Sequence, residues 1–431
     1  MDQTGSRTVV SPALPREATL AAIVVGMAFL FNFLARGAID TFMVFMLQLE
    51  QEFGWRRSSL TGVYSTYLIV VGLMSPLSGL VLDRMGPRFT YSVGMAILAG
   101  AMYAASSIGA LWQVYLLLGG LGGIAASLLG MVTAAALIGR WFDRRMSIAM
   151  AVAYAGFGSG ILAMVPLAQV GIDVLGWRDT YRLIAIVLAC SAPLFLLPWK
   201  RIALGSADFQ ARRSTAASEA STSVGANWTI RTAVRTREFW LLVQVFFFTA
   251  CGVYSVIVQV VPYLVESGYP PIEAALAFGA SGMLSIFGVL FAGVLCARFG
   301  NRFTATLSFA GTFIGTVALL GFSVVANPAL VLVWVVAFGI CQGARGPIVS
   351  TLTARIFALG SVASIFGTIF MLMSFGSAFG SWISGFLHDL TGSYRAAFVF
   401  SGACIVLACM PFWTSDRLQK PVALDPPARA E

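Results

Sequence analysis

The chain has 431 residues, of which 58% are hydrophobic and only 10% charged, with a formal net charge of +9. Soluble domains are roughly half apolar and a quarter charged, so this composition excludes a water-soluble globular protein and predicts an all-α integral membrane protein. The positive excess is not a nucleic-acid footprint, because no basic cluster is interleaved with exposed aromatics; it reads as topology and contact with anionic lipid.

Residues 1–17 are polar, carry Arg7 and Arg16, and lack the apolar core and small-residue cleavage site of a secretory signal. They read as a cytoplasmic tail. From residue 18 the chain is a succession of apolar stretches, each near the about 20 residues that cross a hydrocarbon slab. Breaks at Gly, Pro and charge clusters place twelve spans, centred near residues 33, 70, 98, 125, 159, 190, 250, 285, 314, 343, 375 and 404. Residues 18–199 form a first six-helix bundle and 238–414 a second. Between them, 200–237 is a Ser/Ala/Arg-rich cytoplasmic linker without apolar periodicity, and 415–431 is a second cytoplasmic tail. With the N-terminus inside, 20 of the 27 Lys and Arg residues fall on inward segments, five on outward loops (Arg56, Arg57, Arg178, Arg182, Arg395) and two within spans, as the positive-inside rule requires.

Span 1 contains FLFNFLARGAIDTFMVFM (29–46), where Asn32, Arg36 and Asp40 recur every four residues along one side of a helix. The other charge deep in a span is Arg345, in CQGARGPIVS of span 10. A charge at that depth costs at least about 2.5 kcal/mol, so these groups face a partner or a wet cavity rather than lipid. Two readings stand for Arg36 and Asp40: an internal salt bridge that orders span 1, or a transport site. In the second, two arginines against one carboxylate attract an anion held by Arg345 and Arg36, and Asp40 carries a coupling proton. Neutral candidates for the same site are Asn32, Gln342, Tyr254 and Gln259, with Gln244, Ser255, Ser127 and Thr133 as further hydrogen-bonding groups. Tyr64, Tyr67 and Phe246 to Phe248 are a candidate aromatic wall. For each of these, helix–helix packing is the competing role.

The halves repeat. GLVLDRMGPRF (79–89) returns as GVLCARFGNRF (293–303) and EFGW (52–55) as ESGY (266–269), both at an offset of 214; GWRDTYR (176–182) returns as TGSYR (391–395). A duplicated six-helix unit implies two bundles related by a pseudo-two-fold axis along the membrane normal, with a cleft between them that opens to each side in turn. In the first copy Gly79 and Gly86 permit a tight turn, and Asp83 can bond among Arg84 and Arg88. In the second, Gly293, Arg298, Gly300 and Arg302 keep the frame but Ala297 replaces the aspartate. Glu266 and Glu273 flank an outward loop and read as solvated; His388 and Asp389 close span 11, as an outer gate or as solvated groups. The six cysteines fall in apolar spans and read as packing residues, and the single histidine leaves no metal-ligand set. No Gly-Lys-Ser/Thr loop and no nucleophile triad is present, so neither ATP hydrolysis, nor an enzyme, nor a cofactor is expected.

GLVLDRMGPR resembles the loop signature of the major facilitator superfamily, and the twelve-span plan, central linker and degenerate second copy extend the resemblance over the whole chain. QEFGWRRSSLTGVYS, AGFGSG with Pro166 and GWRDTY, and FLHDLTGSYRAAF resemble the monocarboxylate-transporter-like and organic-anion branch. That resemblance implies a secondary transporter whose first and fourth spans in each half (1, 4, 7 and 10) line the cleft, and whose loop network latches the cytoplasmic side. It implies proton-coupled uptake of a small organic anion by a monomeric carrier in a bacterial inner membrane, both termini cytoplasmic. The chain departs from the branch in having no basic residue in span 8 and no lysine in span 11. That leaves room for a larger aromatic solute or a vitamin such as riboflavin. The glycines of AYAGFGSGILAMVP also keep an efflux antiporter open, and a membrane sensor that binds without transporting is the alternative of another class.

Overall fold

The computed structural model describes residues 15–142, 146–191, 199–205, 230–357, 362–415 and 418. Every regular element among them is helical, and nine helices are long and apolar enough to cross a membrane. Span 1 is Pro15–Asp40 continued by Phe42–Phe53, with the break at Thr41 directly after the buried aspartate. Arg57–Ala105 carries spans 2 and 3 and is divided at Gly86; Pro271–Phe322 carries spans 8 and 9 and is divided at Gly300. A straight helix of 49 residues would be about 74 Å long, more than twice the hydrocarbon thickness, so the chain must reverse. It does: Gly123 packs on Val70 and Gly94 on Leu128, which sets residues 70 and 94 at nearly one depth. In the second half Gly288 packs on Ile340 and Gly311 on Cys341, so the two legs again lie side by side.

The sequence repeat survives where backbone geometry demands it. Seven glycines have φ between 62° and 94°, and six of them form three related pairs: Gly54 with Gly268, Gly86 with Gly300, and Gly176 with Gly392. A side chain in that left-handed region costs about 1–2 kcal/mol, so the turns keep glycine while the flanking residues drift. Spans 4 and 10 share a second irregularity. Each has a π-helical stretch, Tyr115–Leu121 or Trp334–Phe338, followed by a break at Gly130 or Ala344, again 214 residues apart. Such bulges recur at functional sites because they leave backbone groups unpaired and let a helix bend.

Small residues bring helices close in both halves. A Cβ on Gly156 or Gly160 would collide with the carbonyl oxygen of Phe29 or Phe33, and one on Gly380 with that of Cys251. The halves meet along two seams. Span 2 touches span 11 where Gly72 packs on Ser374, and span 5 touches span 8 where Gly158 packs on Gly282. The first seam continues up to the turns near Gly54, Gly268 and Gly392, where Ser381 Oγ donates to Thr61 O (3.1 Å) and Asp389 accepts from Ser58 N (3.0 Å). This is the closed end of the protein.

Candidate functional site

Span 1 presents Arg36 and Asp40 one turn apart toward Tyr64 of span 2. Arg36 Nε donates to Asp40 Oδ2 at 2.6 Å, Tyr64 donates its hydroxyl hydrogen to Asp40 Oδ1 at 2.7 Å, and Arg36 Nη2 donates to the Tyr64 oxygen at 3.2 Å. The three groups therefore close a ring in which both carboxylate oxygens are engaged. Asp40 is fully buried and Tyr64 nearly so, whereas 18% of the Arg36 side chain remains accessible. Tyr67 lies beside Tyr64 (5.2 Å between ring centroids), and half-buried Tyr254 of span 7 approaches the same ring from the other half at 6.3 Å. The charged pair thus sits at the junction of the two halves, with one guanidinium edge and an aromatic face available to a solute.

The other proposed ligands face elsewhere. Arg345 is 2% exposed, but its Nε and Nη2 donate to the Ser308 hydroxyl (3.3 Å) and carbonyl (3.2 Å), Nη2 also bonds the Thr312 hydroxyl, and its guanidinium lies 4.6 Å from the Phe309 ring centroid. These groups belong to span 9, so the expectation that Arg345 joins Arg36 and Asp40 in one vestibule is corrected. Helical periodicity gives the reason: Phe338, Cys341 and Arg345 share a face of span 10, and Gly315 and Gly311 of span 9 pack on the first two. Gln342, one residue further round, donates to Ser281 O of span 8 at 3.3 Å. Asn32 donates to Ala153 O of span 5 at 3.1 Å, and Gln259 to Ser384 Oγ of span 11 at 3.3 Å. Both amides are buried helix–helix contacts, each with its amide oxygen unpaired. Five of the six cysteines are at least partly buried, as packing residues should be, but Cys190 is exposed.

The loop signature closes differently from its expected network. Asp83 pairs with Arg140 at the end of span 4 (2.9 Å), while Arg84 and Arg88 are exposed. Adjacent residues of a helix do not face each other, and the break at Gly86 separates Arg88 from Asp83, so the partner comes from a neighbouring span. In the second copy Arg302 lies 3.7 Å above the Trp413 ring and Arg298 is exposed, while the surroundings of Gly293 and Ala297 lie outside the described residues. Arg302 is the counterpart of Arg88 at the offset of 214, so this cation–π contact occupies a different place from the Asp83–Arg140 ion pair of the first half.

Two residues read from the sequence as outward-loop groups form an ion pair. Arg57 is 3% exposed and pairs with Glu266, which stays 42% exposed, so that glutamate is both solvated and ion-paired across the halves. The signal that could have found Arg57 is its place three residues after a left-handed glycine, at the first turn of a span that meets the other half. Tyr64 was legible only as an aromatic; its hydroxyl's role depends on span 2 lying against Asp40.

The model of the Major Facilitator Superfamily matches residues 26–375 and 290–430 of the chain. Similar proteins include monocarboxylate transporter 13 of Rattus norvegicus, 27% identical over 389 residues that cover 89% of this chain and 86% of the relative. Monocarboxylate transporter 11 of Homo sapiens is 26% identical over 406 residues, 92% of this chain and 83% of its own. Monocarboxylate transporter 4 of Mus musculus is 26% identical over 394 residues, 89% and 81%. With its paired glycine turns, twice-broken spans and two halves joined along matching seams, the chain belongs to the major facilitator superfamily, as a multi-pass membrane transporter of small organic solutes and not an enzyme.

Proposed function

We propose that the chain carries a small organic anion of the carboxylate type together with a proton, Arg36 taking the anionic group and Asp40 the proton. The observation that carries this reading is the closed ring of Arg36, Asp40 and Tyr64, whose accessible member is the cation. The empty site is a neutral pair. A solute carboxylate alone would leave one negative charge in a dry interface, and a proton alone would leave Arg36 unbalanced; both together keep the site neutral. Charge neutrality in the empty and the doubly loaded states favours movement of those two states and penalises the half-loaded ones, which is symport. The names of the similar proteins support a monocarboxylate as the first class to test. The tyrosine cluster of Tyr64, Tyr67 and Tyr254 supports an aromatic acid or a riboflavin-like solute as the second. The arginine bias supports both termini on the cytoplasmic side; uptake at a bacterial inner membrane by a monomer is part of the same proposal.

Purified protein in vesicles, supplied in turn with short carboxylates, aromatic acids and riboflavin under an imposed pH gradient, tests the proposal. Accumulation of a carboxylate that collapses when the gradient is dissipated supports it. Accumulation indifferent to the gradient removes the proton, and binding without filling of the lumen makes the protein a sensor.

A further inference from the structure

At the closed end one guanidinium holds both halves together. Arg57 Nη2 lies 2.5 Å from Glu50 Oε2 and 2.7 Å from Glu266 Oε1, and Nη1 donates to the Tyr394 hydroxyl at 2.7 Å. Arg57 and Glu50 belong to the first half; Glu266 and Tyr394 belong to the second. The surrounding contact is tight, since a Cβ on Gly385 would lie 2.9 Å from the Ser58 Cα and closer still to the Thr61 hydroxyl. Two carboxylates therefore converge on one nitrogen, and the cluster has one negative charge more than its single cation balances. We propose that Glu266 and Glu50 form, around Arg57, a proton-binding site whose occupation releases the two halves and opens this end.

The asymmetry of the cluster makes it a switch rather than a permanent lock. The cross-half bond needs the ionised form of Glu266. A proton on that carboxylate removes the charge that binds it to Arg57, so acid favours opening and the closed end is firmest when the carboxylate is bare. When the halves part, Arg57 keeps Glu50, so no bare cation is left buried in the first half. Glu266, with 42% of its side chain exposed at a helix end, is within reach of water and therefore of protons. The other titratable groups facing the cluster are His388, whose ring lies 4.5 Å from that of Tyr394, Asp389, bonded to Ser58 N, and Tyr394 itself. Burial raises the Tyr394 phenol far above its ordinary range, so it stays neutral throughout. This inference does not depend on the proton assigned to Asp40, because it concerns the protein without solute.

The test uses the full chain in nanodiscs with Ser381→Cys as reporter, a position fully buried at the seam. Its labelling by a water-soluble maleimide is corrected for the native cysteines and expressed relative to the unfolded protein at the same pH. The reporter should label about threefold faster at pH 4, below the ordinary glutamate range, than at pH 7.5. Adding Glu266→Gln, an isosteric change at a partly exposed helix end, should bring the pH 7.5 rate up to the acid rate and flatten the profile, while His388→Asn should leave the acid response in place. Labelling of the Glu266→Gln protein within about twofold of its parent at pH 7.5, an acid response that survives Glu266→Gln, or one lost with His388→Asn alone would each overturn the proposal.

Discussion

Replacing Asp40 with asparagine keeps the size of the side chain and removes its charge. The native carboxylate accepts two bonds, from Arg36 at 2.6 Å and from Tyr64 at 2.7 Å, and is wholly buried. Hydrogen bonds to charged groups contribute about 1.5–3 kcal/mol each, and an amide oxygen can retain one of the two, so the loss should be about 3 kcal/mol, in line with breaking a buried ion pair. Arg36→Met should cost a similar amount. The double variant should cost less than the sum by about 2 kcal/mol, because the second change no longer strands a buried charge. Function gives the sharper reading. With one proton per solute, each unit of pH gradient supports about a tenfold concentration ratio, so two units set a ceiling near a hundredfold. The Asp40→Asn protein should exchange labelled for unlabelled solute across the vesicle membrane yet reach a ratio near one under the same gradient. If it still concentrates solute as its parent does, Asp40 is an ordering pair for span 1 and the symport reasoning fails.

Arg345→Met should leave transport affinity within about twofold and stability within about 1 kcal/mol, because the arginine's partners are neutral groups and the Ser308 and Thr312 hydroxyls still donate to carbonyl oxygens of Cys341 and Ser308; a large rise in KM would return Arg345 to the solute site. Gly160→Ala and Gly380→Ala should each lower thermal stability by about 2 kcal/mol or more, since the new methyl meets backbone oxygen, whereas Gly100→Ala, with nothing within 4 Å, should be neutral or slightly stabilising in the same melting assay. Gly86→Ala and Gly300→Ala should cost about 1–3 kcal/mol apiece through strain of the positive-φ, extended-ψ backbone alone, because open space surrounds both; a cost for only one would break the equivalence of the two turns. Asp83→Asn should change stability by less than about 1 kcal/mol, as the Asp83 carboxylate in its pair with Arg140 is 69% exposed, so any marked transport defect would belong to the conformational cycle rather than to folding.

The amino-acid sequence by itself determined the membrane class, the duplicated halves and the places where the chain turns. Those features rest on local constraints: a span must be apolar over its length, and a residue with φ near +80° must be glycine whatever surrounds it. The pairing of Arg36 with Asp40 was also legible, because residues four apart on a helix are neighbours in any packing. Only the tertiary structure decided where Arg345, Glu266, Gln259 and Asn32 point. In a soluble helix an apolar stripe would have identified the inward face, but a transmembrane helix is apolar all round, so periodicity says little about which face meets lipid, a sister helix or the junction between halves. That choice is made by close contacts such as Gly311 on Cys341 and Gly385 on Ser58, and these exist only once helices far apart in the chain have packed together.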